Sequence, residues 1–139
     1  MRTQDLTDIR FTSDGDLYIG LDNDLNIVNG QTSMEQAVIM RLKTEIEDCA
    51  LWPEFGHNIR EMKGKRFIKS NVDTLKKLIY NALSQGDLFN QITIEVLPTV
   101  NTEVLIYCGL LTQDYVKYKL SFQYNFDSSY MNEIEFEKL

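Results

Sequence analysis

Residues 92–124, ITIEVLPTVNTEVLIYCGLLTQDYVKYKLSFQY, decide the fold. Val116, Tyr118, Leu120, Phe122 and Tyr124 alternate with Lys117, Lys119, Ser121 and Gln123, the clearest period of two in the chain. Successive strand residues point to opposite faces, so this alternation predicts a strand with one apolar face turned to the core. Residues 104–111 are nearly continuously apolar, which predicts a central strand covered on both faces. Ile92, Ile94 and Val96 alternate with Thr93 and Glu95 until Pro98, and a turn is expected at Val100-Asn101. Three strands joined by short connections make a mostly antiparallel sheet.

Upstream of this block the period changes from two to three or four. Val72, Leu75, Leu78, Ile79, Ala82 and Leu83 form one stripe, predicting a helix that starts after Ser70 or Asn71, with Gly86 as its C′ residue. Met34, Ala37, Val38, Leu42, Ile46 and Cys49 form another, predicting a helix over 34–50. Ser33 and Gln36 stand at capping-box spacing before it, and Trp52-Pro53 ends it. Residues 51–69 read as a long connection turning at Gly56 and Gly64, with residues 57–69 aimed outward and Phe55 packed back on the domain. Before the first helix, Leu17, Ile19 and Leu21, then Leu25 and Ile27, alternate around Asp22-Asn23-Asp24 and read as a hairpin within 14–30. The expected fold is α+β, with an N-terminal hairpin and two helices on a three- to four-stranded sheet. It forms a single domain: an arm at 1–13, a compact body at 14–124 and an acidic tail at 125–139.

Composition narrows what such a domain does. The chain has 139 residues, 43% of them hydrophobic and 25% charged, enough for one ordinary core. Its net charge is −7, with 14 Lys and Arg against 21 Asp and Glu, which argues against nucleic-acid partners. No run is long and apolar enough for a membrane span, and MRTQDLTDIR lacks a signal-peptide core, so residence in a cytoplasm is expected. Two cysteines and one histidine make neither a disulfide framework nor a His-rich metal site, and no cofactor is expected.

Four constellations deserve a chemical reading. Cys49 and Cys108 both fall on apolar faces, where a thiol serves as a small hydrophobe rather than a nucleophile. Asp22, Asp24 and Asn26 copy the start of an EF-hand loop. Ile27 stands where that loop needs glycine, and Ser33 where it needs a bidentate Glu, so a turn explains them better. Glu45, Glu47, Asp48, Glu54 and Glu61 could supply a pair of carboxylates for glycoside hydrolysis, although nothing marks one as buried in an apolar pocket. Arg60, Lys63, Lys65, Arg66 and Lys69 gather around Phe67, a basic loop suited to an acidic protein neighbour or to solvent.

The run DLNIVNGQTSMEQAVIMRLKTEIEDCALWPEFG, residues 24–56, resembles the baseplate-wedge, sheath-initiator family of contractile phage tails and related injection systems. The likeness rests on Asp24, Gly30, Gln36, Arg41-Leu42-x-Thr44, Trp52 and Pro53-Glu54-Phe55-Gly56. It continues through the second helix and ITIEVLP at 92–98, covering about residues 17–124. It implies a structural protein without catalytic residues, present in the virion tail baseplate after assembly in the bacterial host cytoplasm, with six copies per tail under six-fold symmetry. Its implied partners are the tail sheath protein, the wedge core-bundle proteins, and tail tube or hub proteins. The family's Glu-Pro-Arg contact to the core bundle falls here on Gly86-Asp87-Leu88, leaving only the acid at Asp87. Trp52, Pro53, Glu54, Phe55, Gly56 and Asp87 are the expected wedge contacts. Tyr115, Lys117, Lys119, Ser121 and Gln123, with Ile134 and Phe136 in a loose acidic arm that orders on assembly, are the expected sheath contacts. The implied mechanism is strand exchange at the 115–124 edge, where main-chain bonds add a neighbour's strand. Family members have also carried a lysozyme label, and peptidoglycan glycoside hydrolysis is the alternative from another class.

Overall fold

The computed structural model describes residues 7–11, 17–24, 27–48, 50–66, 68–99, 102–128 and 130–139. The architecture is α+β. A short antiparallel pair, β1 (Thr7–Ile9) and β2 (Ile27–Asn29), precedes helix α1 (Gly30–Lys43). A 3-10 turn at Ile59–Met62 and helix α2 (Lys69–Leu83) follow. Four antiparallel strands complete the chain in the order β3 (Phe89–Pro98), β4 (Glu103–Thr112), β5 (Lys117–Asn125) and β6 (Tyr130–Lys138). Each strand pairs with its sequence neighbour, so the sheet is a simple meander and both helices lie against one of its faces.

The alternation read in β5 places Tyr118, Leu120, Phe122 and Tyr124 in the core, each at most 2% exposed. They meet Val104, Ile106, Cys108 and Leu110 of β4 and Ile92, Ile94 and Val96 of β3. From the helical layer come Met34, Val38 and Leu42 of α1 and Leu75, Ile79 and Leu83 of α2. β4 is central, as its apolar run suggests, but only one face is covered. Leu105, Tyr107, Gly109 and Leu111 look outward and remain partly exposed, and the Lys119 ammonium lies 4.6 Å from the Tyr107 ring centroid. The expected Val100-Asn101 turn lies outside the described residues.

The helix starts and stops differ from the sequence reading. Helix α1 begins four residues earlier, after Asn29, so Ser33 is a buried residue of its first turn and forms no capping box. Gln36 instead reaches the N-terminal segment: its Oε1 accepts from the Phe11 N–H (2.9 Å) and its Nε2 donates to the Ile9 carbonyl (2.8 Å). The expected turn at Asp22-Asn23-Asp24 forms, with the Gly20 N–H donating to the Asp24 carbonyl (2.9 Å), but the strand after it has a different partner. β2 pairs with 7–9 rather than with 17–21, whose Leu17 makes only an isolated bridge to Phe11. Leu25 lies outside the described residues. Helix α1 also ends at Lys43, because Thr44 to Ile46 pair with His57 and leave Ile46 off the helix. Cys49 is outside the described residues. Helix α2 follows the predicted stripe and starts at Lys69, and Gly86 takes the left-handed conformation (φ +79°) in the turn after it.

The acidic tail is not a loose arm. β6 pairs along β5, matching Leu120 with Phe136 and Ser121 with Glu135. Phe136 packs on Tyr118 with ring centroids 5.4 Å apart, and Ile134 and Phe136 join the core. The tail's alternation of Ile134 and Phe136 with acids is the pattern of a strand with one wet face. β5 therefore has partners on both sides, and among the described residues the sheet's free edges are β3 and β6. Phe136→Ala should destabilise the isolated domain by about 2 kcal/mol, less than for a fully buried ring. Urea unfolding by tryptophan fluorescence checks it.

Candidate functional site

Residues 44–57 fold into a loop closed at its base. The Ile46 N–H donates to the His57 carbonyl (2.8 Å) and the His57 N–H to the Thr44 carbonyl (3.0 Å), a parallel bridge between the two ends. Gly56 makes that closure possible. Its φ is +108°, and a Cβ there would lie 2.2 Å from the Thr44 carbonyl oxygen, a distance no side chain can occupy. Inside the loop the Glu47 N–H donates to the Pro53 carbonyl (2.8 Å), and the Asp48 carboxylate accepts the Glu45 N–H (3.2 Å).

A single side chain fastens this loop to α2. Gln85 Oε1 accepts the Gly56 N–H (3.0 Å), while Nε2 donates to the carbonyls of Glu54 (2.9 Å) and Gly56 (3.2 Å). Asp87, two residues on, is exposed with φ +50°. The structure thus brings the expected 52–56 contacts and the Asp87 turn side by side. Sequence reasoning passed over Gln85, since a glutamine beyond a helix end carries no periodic signal.

The tip of the loop is apolar and wet. Leu51 is 98% exposed and Trp52 51% exposed, and the Trp52 ring leans on Phe55 with centroids 4.9 Å apart. Phe55 is only half-buried, so it supports Trp52 rather than anchoring the domain. The residues after Gly56 turn inward instead of outward: Ile59 and Met62 are each 1% exposed, and the Ile59 carbonyl accepts from the Tyr124 hydroxyl (3.2 Å). The basic side chains of 60–69 stay exposed, and Arg60 pairs with Glu45 (3.2 Å). Phe67 lies outside the described residues. Segment 44–58 holds four acids, Glu45, Glu47, Asp48 and Glu54, and no Lys or Arg, so the tip has an acidic surround.

The expected sheath set does not come together. Tyr115 is exposed at the β4–β5 turn with φ +62°, and Lys117, Lys119, Ser121 and Gln123 line the outer face of the sheet. Ile134 and Phe136 point to the opposite, core face. Nor is the 115–124 edge free for strand exchange, since β6 occupies it.

The chemical candidates resolve as follows. Cys108 is buried in β4, and burial pushes its thiol up to about 12, which leaves it protonated and inert at neutral pH. Asp22 Oδ1 accepts the Asp24 N–H (3.3 Å) in a turn where Asn23 has φ +60°, the turn role expected of these residues. Asn26 lies outside the described residues. Among the described residues no group of three His, Cys, Asp or Glu side chains could hold a metal ion. Glu45 is committed to Arg60, while Glu47, Glu54 and Glu61 are exposed rather than set in an apolar pocket. No protein-family model matches this chain, and no curated protein does either.

His57 sits under the loop, buried, with Nδ1 accepting the Ile59 N–H (3.2 Å). Burial lowers its pKa below the usual value. A hydrogen bond to the Leu42 backbone and the Glu45 and Asp48 charges oppose that shift, and Arg60 adds to it. The unfolded chain therefore takes up this proton at higher pH than the folded one. Stability should be complete above about pH 6.5 and decline below it, by at most ~1.4 kcal/mol per pH unit for one proton. Chemical denaturation between pH 7 and 5 should show this slope, flattened in His57→Gln; His57 is the only histidine in the chain. Gly56→Ala should cost about 3 kcal/mol or more, since strain and a backbone clash combine there, and differential scanning calorimetry reads it directly.

Proposed function

We propose that this chain is a structural subunit of a contractile-tail baseplate wedge that joins the wedge core to the tail sheath and initiates sheath polymerisation. The observation that carries this reading is the Leu51–Trp52–Phe55 tip: an apolar contact exposed to water, yet held in one position by Gln85 and the Gly56 closure. Aromatic anchors of this kind, pre-positioned and ringed by polar groups, concentrate binding energy at protein interfaces. The resemblance over residues 24–56 supplies the partner class, a helical core bundle, and the tip lies within the matching stretch.

The sheath contact belongs on a sheet edge that is still open. Among the described residues β6 has no partner on its outer edge, and it carries the alternating acids Glu135 and Glu137 near its end. An incoming strand could take the main-chain bonds there, guided by lysines of its own. β5 then serves as the backing of that edge rather than as the edge itself.

Tail assembly complemented with a Trp52→Ala chain tests the proposal. The isolated variant should stay within about 1 kcal/mol of wild type in urea unfolding, since the ring is half in water. Tails made with it should lack the chain and carry no sheath, as judged by electron microscopy. Sheathed tails at wild-type yield would overturn the assignment. Release of soluble sugar fragments from purified peptidoglycan by the wild-type chain would do so too, in favour of glycoside hydrolysis.

A further inference from the structure

Arg41 lies in the last turn of α1 and is 7% exposed. Its Nε and Nη1 are buried and have no hydrogen-bond partner among the described residues, and no described carboxylate pairs with it. Burial lowers its pKa. Burying those two nitrogens is costly, because their water is removed and nothing replaces it. An apolar side chain of similar length would fill the same volume without that cost.

The third nitrogen shows where a partner would come from. Nη2 lies directly under Gly86, where a Cβ would sit only 2.7 Å from it. Gly86 is exposed and has φ +79°, so the turn that borders Nη2 bears no side chain. Both two-pronged edges of a guanidinium, Nε with Nη2 and Nη1 with Nη2, include this atom. The neighbouring Asp87 carboxylate does not pair with Arg41, and the Asp87 carbonyl is held by the Gln113 amide (2.6 Å). Gln85, on the other side of Gly86, is the residue that fastens the apolar tip.

We infer that Arg41 is the receptor half of an ion pair completed by another protein, whose Asp or Glu carboxylate enters over Gly86 beside the Trp52 tip. The inference rests on the reading of 51–56 and 85–87 as a partner-binding surface. It deepens that reading by naming a carboxylate as what the partner must present. The charge is kept unpaired in the free chain and is matched, away from water, only in the complex. Pairing then discriminates strongly against partners that lack the acid, because a buried charge left alone is penalised on both sides.

The test uses the full chain with selectively labelled arginine. Sodium acetate at about 0.2 M, against sodium chloride at equal ionic strength, should shift the Arg41 Nε–H resonance and raise the Tm by a few degrees through mass action. Arg41→Met should melt at or above the wild-type Tm, lose the acetate effect and fail to enter wedges. Absence of any acetate shift in the wild-type spectrum overturns the inference, even if the variant does not fold. So does an Arg41→Met chain that enters wedges normally. A larger response to inorganic phosphate than to acetate would also overturn it, marking a site for a free anion. The acetate measurements involve no tail component, so their failure leaves the wedge assignment to the Trp52→Ala assay.

Discussion

The structure depends on one close approach, the backbone of Gly56 against the carbonyl of Thr44. With no side chain at 56, the chain returns to the end of α1 and pairs His57 with residues 44–46. That pairing terminates the helix, sends Ile59 and Met62 into the core and throws residues 51–55 out to the surface. The core and the exposed tip are thus two results of the same turn. His57 fills the space beneath it as a neutral ring, which links the geometry of the closure to proton concentration.

Sheet structure was the more legible part of the chain, for a physical reason. A strand with one buried face must alternate, and β5 does so over nine residues. The α2 stripe was legible in the same way. β4 misled in one respect: a run of apolar residues signals a central strand but does not say whether a second layer covers it. The tail's alternation was visible, yet its acids suggested an arm, because a sequence does not show which strand pairs with which. α1 failed at both ends. Ile46 keeps the helical spacing, but two backbone bonds to His57, eleven residues away, outcompete another helical turn.

The site divides along the same line. Trp52, Phe55 and Gly56 stood out because tryptophan, proline and glycine together mark a shaped loop. Gln85 and the burial of Arg41 did not, since both arise from contacts between segments distant in sequence. Gln36 is a related case: it looked like half of a helix cap and serves instead as the tie for residues 9–11. In both glutamines an amide with donors and an acceptor bonds wherever tertiary structure delivers a backbone group. Local pattern therefore locates apolar faces better than it locates polar partners.

The Gln85 clamp has a mechanical consequence. Its three hydrogen bonds run from one amide to two nearby residues, so a pull on the tip loads them together rather than one after another. Bonds strained in parallel share the force and fail as a set, whereas bonds strained in sequence unzip individually. The load then passes into the end of α2, whose buried stripe is braced along the sheet, instead of peeling the loop away from α1. A sudden displacement at Trp52 would be transmitted to the body of the domain as a nearly rigid push.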